Sequence, residues 1–136
     1  MLREILFDDN PNILLGKMLD KATLYQRVIS ANIANVTTPG YRRLGVSFDE
    51  KLKSAMKPGL RKMIRNHPRH LPDQNLLKGI KPEVVMIENG YWNGINNVNI
   101  DEEMVELAKN QLDFNIAAKL MSDRFARLRT AIRGRR

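Results

Sequence analysis

The chain has 136 residues and no cysteine; 43% of its residues are hydrophobic but only 6% are aromatic, and its formal net charge is +8. That length fits one domain, and the lack of cysteine excludes disulfides, thiolate metal sites and cysteine nucleophiles. With so few bulky side chains, the middle third has little material for a large core.

Near the start, apolar runs reach only three residues, as in Ile13-Leu14-Leu15. No cleavable secretory signal is therefore expected, and no stretch approaches membrane-spanning length. The first predicted element is a helix over about residues 11–35. Asn10 suits its cap, and Pro11 suits the first helical position, where a missing N–H is harmless. Leu15, Met18, Ala22, Tyr25, Ile29, Asn32 and Val36 recur at alternating steps of 3 and 4, the seam of a helix that packs along its length. Asn32 is the polar entry on that stripe, a residue able to fix register.

Turn chemistry follows at once in the run from Ser30 to Arg43, SANIANVTTPGYRR. Thr38 precedes proline and is pushed toward extended geometry. Pro39-Gly40 suits the centre of a type II turn, with glycine supplying the positive φ. Tyr41 then starts an extended segment. The stretch reads as a joint that redirects the chain after a long helix.

The middle of the chain holds the whole charge excess. Residues 1–41 carry four basic and four acidic groups, residues 83–136 carry eight of each, and residues 42–82 carry eleven basic against three acidic. Such a segment suits a solvated or partner-facing arm, and also suits nucleic acid or an anionic surface. Leu44, Val46 and Phe48 alternate as in a short strand. Two helical turns to Met56 follow, ended by Pro58-Gly59. Val84-Val85-Met86-Ile87 is a second short strand. Tyr91 and Trp92, in a turn-rich run, are candidates to anchor the arm on a helix or a neighbour.

The last third predicts a long helix over about residues 101–132, roughly 48 Å at 1.5 Å per residue. Ile100, Met104, Leu107, Gln111, Phe114, Ala118, Met121, Phe125, Leu128 and Ile132 follow a heptad seam. Asn99 or Asp101 suits the N-cap. Asp101, Glu102, Glu103 and Glu106 suit the positive end of the helix dipole, Arg124, Arg127, Arg129 and Arg133 the negative end. Gly134 suits the stop. The fold expected is mainly α: long N- and C-terminal helices in an antiparallel, coiled-coil-like pair, with a short irregular, β-containing basic segment between them. Each stripe is wider than a two-helix contact needs, so neighbouring subunits are expected to cover the rest. A lone monomer is expected to be poorly ordered at both ends.

Little in the sequence suggests a reaction. His67 and His70 form an H-x-x-H pair without further ligands, so no metal site is expected. Glu102, Glu103 and Glu106 are accounted for by the helix dipole rather than by acid–base chemistry. No phosphate-cradling, dinucleotide or nucleophile-elbow motif occurs. The expectation is therefore no enzyme, no cofactor and no small-molecule substrate. Nucleic-acid binding, which the basic middle permits, is the alternative; it lacks a recognisable module.

The run Ala31-Asn32-Ile33-Ala34-Asn35, with Thr38-Pro39-Gly40-Tyr41, resembles the N-terminal signature of flagellar axial proteins: rod, hook and hook-associated proteins. Asn96 to Asn115, NNVNIDEEMVELAKNQLDFN, is similar to the C-terminal pattern of rod proteins. Only about 60 residues separate the two regions, which leaves the short proximal-rod families. The uninterrupted Thr38-Pro39-Gly40-Tyr41 and the run MVELAKNQLDF resemble the FlgB family. This resemblance implies a structural subunit of the proximal rod that assembles by helix packing and transmits torque. It implies export through the flagellum's own type III apparatus without signal cleavage, to the periplasmic rod of the basal body. Its implied partners are itself, other rod proteins, the rod-base adaptor, the membrane ring and the export gate. One domain over 1–136 is expected, with a helix and turn over 1–41, an arm over 42–98 and a helix over 99–136.

Overall fold

A computed structural model of the chain describes residues 10–56, 79–88 and 91–134. Among these residues the elements in chain order are helix α1 (Asn10–Ala34), strand β1 (Leu44–Ser47), helix α2 (Asp49–Met56), strand β2 (Glu83–Met86) and helix α3 (Ile100–Arg133). Pro11 stands in the first turn of α1, where a helix tolerates it. Asn99, in extended geometry, caps α3: its side chain accepts from the Asp101 N–H, and Gly134 closes the helix in the left-handed region at φ 61°. Among the described residues, no helix is long and apolar enough to cross a membrane.

The two long helices pack against each other, and α1 also packs on β1. Polar contacts set the direction: Ala22 meets Asn110, Tyr25 meets Glu106, and Asn32 meets Glu103. Residue numbers rise on one helix as they fall on the other, so the pair is antiparallel. Strands β1 and β2 form a two-stranded antiparallel sheet in the register Leu44↔Met86 through Ser47↔Glu83. At Gly45 in β1, a Cβ would meet the Ile87 side chain, so a larger residue there needs that side chain to shift.

The core is small. Ile29, Ala22, Val28, Phe48, Val98 and Ala117 are buried, drawn from both long helices and the chain between them. On α1, Leu15, Ala22, Ile29 and Asn32 of the expected seam are buried, while Met18 is exposed and Tyr25 half-buried. On α3 the observed seam differs from the expected one in one of its two columns. Leu107, Phe114, Met121 and Leu128 are half-buried, as is Ala118. The companion column, however, is Glu103, Asn110 and Ala117, one residue before Met104, Gln111 and Ala118. Met104, Phe125 and Ile132 are exposed. Polarity is the reason. The positions facing α1 include a glutamate and an asparagine that hydrogen-bond to it, and an apolar pattern does not register such residues. Tyr91 and Trp92 are exposed as well, so neither anchors the arm on this chain's own helices.

Candidate functional site: the joint between helix and arm

Two asparagine-centred clusters hold the joint. The first is built on Asn32, in the last turns of α1 and only 1% exposed. Its amide nitrogen donates to the Leu44 carbonyl at 2.9 Å and to the Glu103 carboxylate at 3.1 Å. Its amide oxygen accepts from the Leu44 N–H at 2.9 Å and from the Tyr41 hydroxyl at 3.1 Å. Both donors and both acceptor sites of the amide are thus filled. Toward Leu44 the side chain behaves as a strand neighbour, meeting both backbone groups of that residue at the start of β1.

Glu103 completes this cluster. One carboxylate oxygen accepts from Asn32, and the other pairs with the Arg43 guanidinium. Glu103 is 1% exposed and the Arg43 side chain 14%, so the ion pair lies inside the joint. Glu103 stands in the first turn of α3, as expected, but does more there than complement the helix dipole. Its backbone is in the first turn, but its side chain turns inward, where a cation and an amide compensate its loss of hydration. Arg43 likewise belongs to the joint, not to a solvated arm. Burial, followed by the nearby Glu103 carboxylate, raises the Tyr41 pKa.

The second cluster is centred on Asn96, which is fully buried. Its amide nitrogen reaches the carbonyls of Asn35, Val36 and Thr38 at 3.0, 2.9 and 3.0 Å. A helix leaves its last carbonyls without internal partners; here a side chain from 60 residues downstream supplies the donor. Asn93 holds Asn96 in place by accepting from the N–H groups of Ile95 and Asn96 and by donating to the Asn96 side chain. Asn97 bridges the strands to this loop, accepting from the Arg43 N–H and donating to the Ile87 carbonyl.

The signature residues fall in and around this network. Ala31 supplies a carbonyl to the Asn35 amide, and the Asn35 side chain accepts from the Thr38 hydroxyl. The Tyr41 N–H bonds back to the Thr38 carbonyl, and Gly40 has φ 71°, as a turn of the expected kind requires. The Gly40 N–H meets the Ile95 carbonyl. Ile33 is half-buried; Ala34 and Pro39 are exposed. The sequence pattern did not mark Glu103, Asn93, Asn96 or Asn97 as residues of the joint. The density of asparagine from Asn93 to Asn99 was the available signal, since short amides favour turns and caps.

Farther along the pair, the Tyr25 hydroxyl donates to Glu106 at 3.3 Å. Burial, then that carboxylate, pushes the Tyr25 pKa up to about 12. The Lys109 ammonium, hydrogen-bonded at 2.8 Å, is the main cause holding Glu106 below its usual range. Asn110 donates to the Ala22 carbonyl across the helix interface. Among the described residues, no three His, Asp or Glu side chains are grouped to hold a metal ion. His67 and His70 lie outside the described residues, as do residues 57–78 of the basic segment.

These features define a mainly helical protein in which a hydrogen-bonded joint ties a two-stranded ribbon to an antiparallel helix pair. A family model described as "Flagella basal body rod protein" matches residues 24–42, the end of α1 and the joint. The chain is 32% identical over 120 residues to the flagellar basal body rod protein FlgB of Bacillus subtilis, covering 88% of this chain and 91% of that protein. It is 34% identical to the FlgB of Borreliella burgdorferi, covering 80% and 85%. It is 28% identical to the FlgB of Escherichia coli, covering 71% and 74%. The chain belongs to the FlgB family of flagellar basal body rod proteins.

Proposed function

We propose that this chain is a structural subunit of the proximal rod of the bacterial flagellar basal body. In this reading it assembles by helix packing into the axial tube that transmits torque, and it is not an enzyme. The observation that carries the reading is the overlap of three things at residues 31–41: the axial-protein signature, the family match and the locked joint. A subunit of a rigid shaft needs its arm held at a fixed angle to its helices. Buried amides and an ion pair do that better than apolar contacts, because hydrogen bonds are directional.

The remaining apolar surface of the helices would be covered by neighbours: copies of this chain, other rod proteins, the rod-base adaptor, and the membrane ring and export gate beneath. Export through the flagellum's own apparatus, without cleavage, to a periplasmic rod belongs to the same proposal. The nucleic-acid alternative rests on the basic excess over residues 42–82, and within it the described Arg43 is committed to Glu103. The test is purification of basal bodies followed by mass spectrometry for this chain, alongside rescue of motility in a deletion strain by wild-type chain. Absence from basal bodies would overturn the proposal. A sub-micromolar gel shift with steep salt dependence would favour the alternative.

A further inference from the structure

The loop that positions Asn96 contains a reactive pair. Asn-Gly occurs twice in the sequence, as Asn89-Gly90 and Asn93-Gly94. The first lies outside the described residues, while the second sits beside the joint. Glycine has no Cβ to screen its nitrogen, so in such a pair that nitrogen can reach the asparagine side-chain carbon. The Gly94 nitrogen gives up its proton to solvent and bonds to Asn93 Cγ. The Cγ–Nδ2 bond breaks, and Nδ2 leaves as ammonia with a proton from solvent, closing a succinimide ring. Water then opens the ring. Breaking the bond from Cγ to the Gly94 nitrogen gives aspartate. Breaking the bond from the Asn93 main-chain carbonyl carbon gives isoaspartate, whose main chain is longer by a carbon. The net change is a water taken up and an ammonia released.

Solvent has access to the pair: both residues are exposed, and the space beside Gly94, at φ 90°, is open. What is held is the Asn93 amide. Its oxygen accepts from the Ile95 and Asn96 N–H groups at 2.8 and 2.7 Å. Its nitrogen donates to the Val98 carbonyl at 3.2 Å and to the Asn96 side-chain oxygen at 3.3 Å. The Asn93 main-chain N–H donates to the Asn96 carbonyl at 3.1 Å. Ring closure has to turn Cγ onto the Gly94 nitrogen and pull Nδ2 from its acceptors. The closed loop therefore lacks the attack geometry until these bonds open.

Conversion would in turn damage the joint. An aspartate oxygen would stand where Nδ2 donates, facing the Val98 and Asn96 oxygens. Isoaspartate would put the loop out of step with those partners. Either product loosens Asn96, the donor to the carbonyls at the end of α1. We propose that Asn93-Gly94 is a deamidation site guarded by the folded joint. The unfolded chain converts it, the closed joint holds it off, and a converted chain rebuilds only a weakened joint.

The test uses the full-length chain carrying Asn89→Gln, which removes the other Asn-Gly pair. Folded chain and chain in guanidinium chloride are held in the same mildly alkaline buffer, and peptide mass spectrometry follows the conversion of the Asn93 amide to acid. Asn93 should convert about tenfold or more slowly in the folded chain, because only transient openings release it. Asn96→Ala takes away one acceptor of the Asn93 amide, and should move the folded rate toward the denatured one while circular dichroism shows the helices retained. Should that variant not fold, the folded-against-denatured comparison decides alone. Converted chain, separated by its added negative charge and refolded, should unfold at a lower urea midpoint than unconverted chain. Asn93→Asp should match the aspartate product. Equal Asn93 rates in folded and denatured chain, no conversion in denatured chain, a folded Asn96→Ala rate equal to that of the intact joint, or an unchanged midpoint after conversion would each overturn the proposal.

Discussion

Asn32 shows how one side chain can define a joint. Its amide serves two backbone groups of Leu44, a carboxylate and a hydroxyl at once. Asn32→Ala leaves those partners unsatisfied in a buried setting, and we expect a loss of about 3 kcal/mol in urea unfolding. Asn32→Asp tests the same geometry differently: it keeps the shape but sets an acceptor against the Glu103 carboxylate and should cost at least as much. Tyr25 gives a pH signature. Its folded pKa is raised to about 12 from 10.0, so the folded state holds the phenol proton more tightly than the unfolded chain does. Its contribution is complete below the unfolded pKa and is lost as pH rises from about 10 to about 12. Comparing wild type with Tyr25→Phe in urea titrations over that window isolates it, and the difference should narrow toward the alkaline end. Glu106 behaves in the opposite sense. Its pKa is lowered in the fold, so its contribution is present above 4.5, the ordinary carboxylate value, and is lost as pH falls below it.

At the scale of elements, the end of α1 is closed by a side chain from the loop before α3. Asn96 donates to three carbonyls there. Asn96→Asp replaces the donor with a carboxylate acceptor pointed at those oxygens. We expect it to destabilise the protein more than Asn96→Ala, which itself should cost about 1–3 kcal/mol. Hydrogen exchange would show the loss first at Thr38, Gly40 and Tyr41, whose amides close the turn. At the start of α3, Asn99→Ala removes a cap and should cost about 1 kcal/mol. The difference between these substitutions separates two jobs. One asparagine begins a helix, while the other ties the end of one helix to the beginning of another.

Across the described molecule, the joint ties the helix pair to the β1–β2 ribbon. The Arg43–Glu103 pair links the chain entering β1 to α3, and Asn97 links that chain and Ile87 to the loop before α3. Far-UV circular dichroism, which follows the helices, and Trp92 fluorescence, which follows the loop, should therefore share one urea midpoint in the wild type. Glu103→Ala leaves Arg43 without its carboxylate and should cost about 3–5 kcal/mol. We expect the Trp92 signal to change before the helical signal in that variant. If the two still coincide, the ion pair stabilises the joint without coupling its parts.

The local elements were legible in the sequence because each rests on neighbours in the chain. The spacing of Leu15, Ala22 and Ile29 marks a helix, Pro39-Gly40 marks a turn with positive φ, and Asn99 and Gly134 bracket the last helix. The family, too, could be read from the run around the joint. The partners of the buried polar groups could not. Glu103 meets Asn32 from 71 residues away, and Asn96 meets Val36 from 60. No periodicity records such a pairing, because a polar side chain reads as surface until a partner compensates its dehydration. For the same reason the apolar pattern of α3 misplaced one column of its seam: the positions that face α1 hold Glu103 and Asn110, and their burial depends on the fold around them.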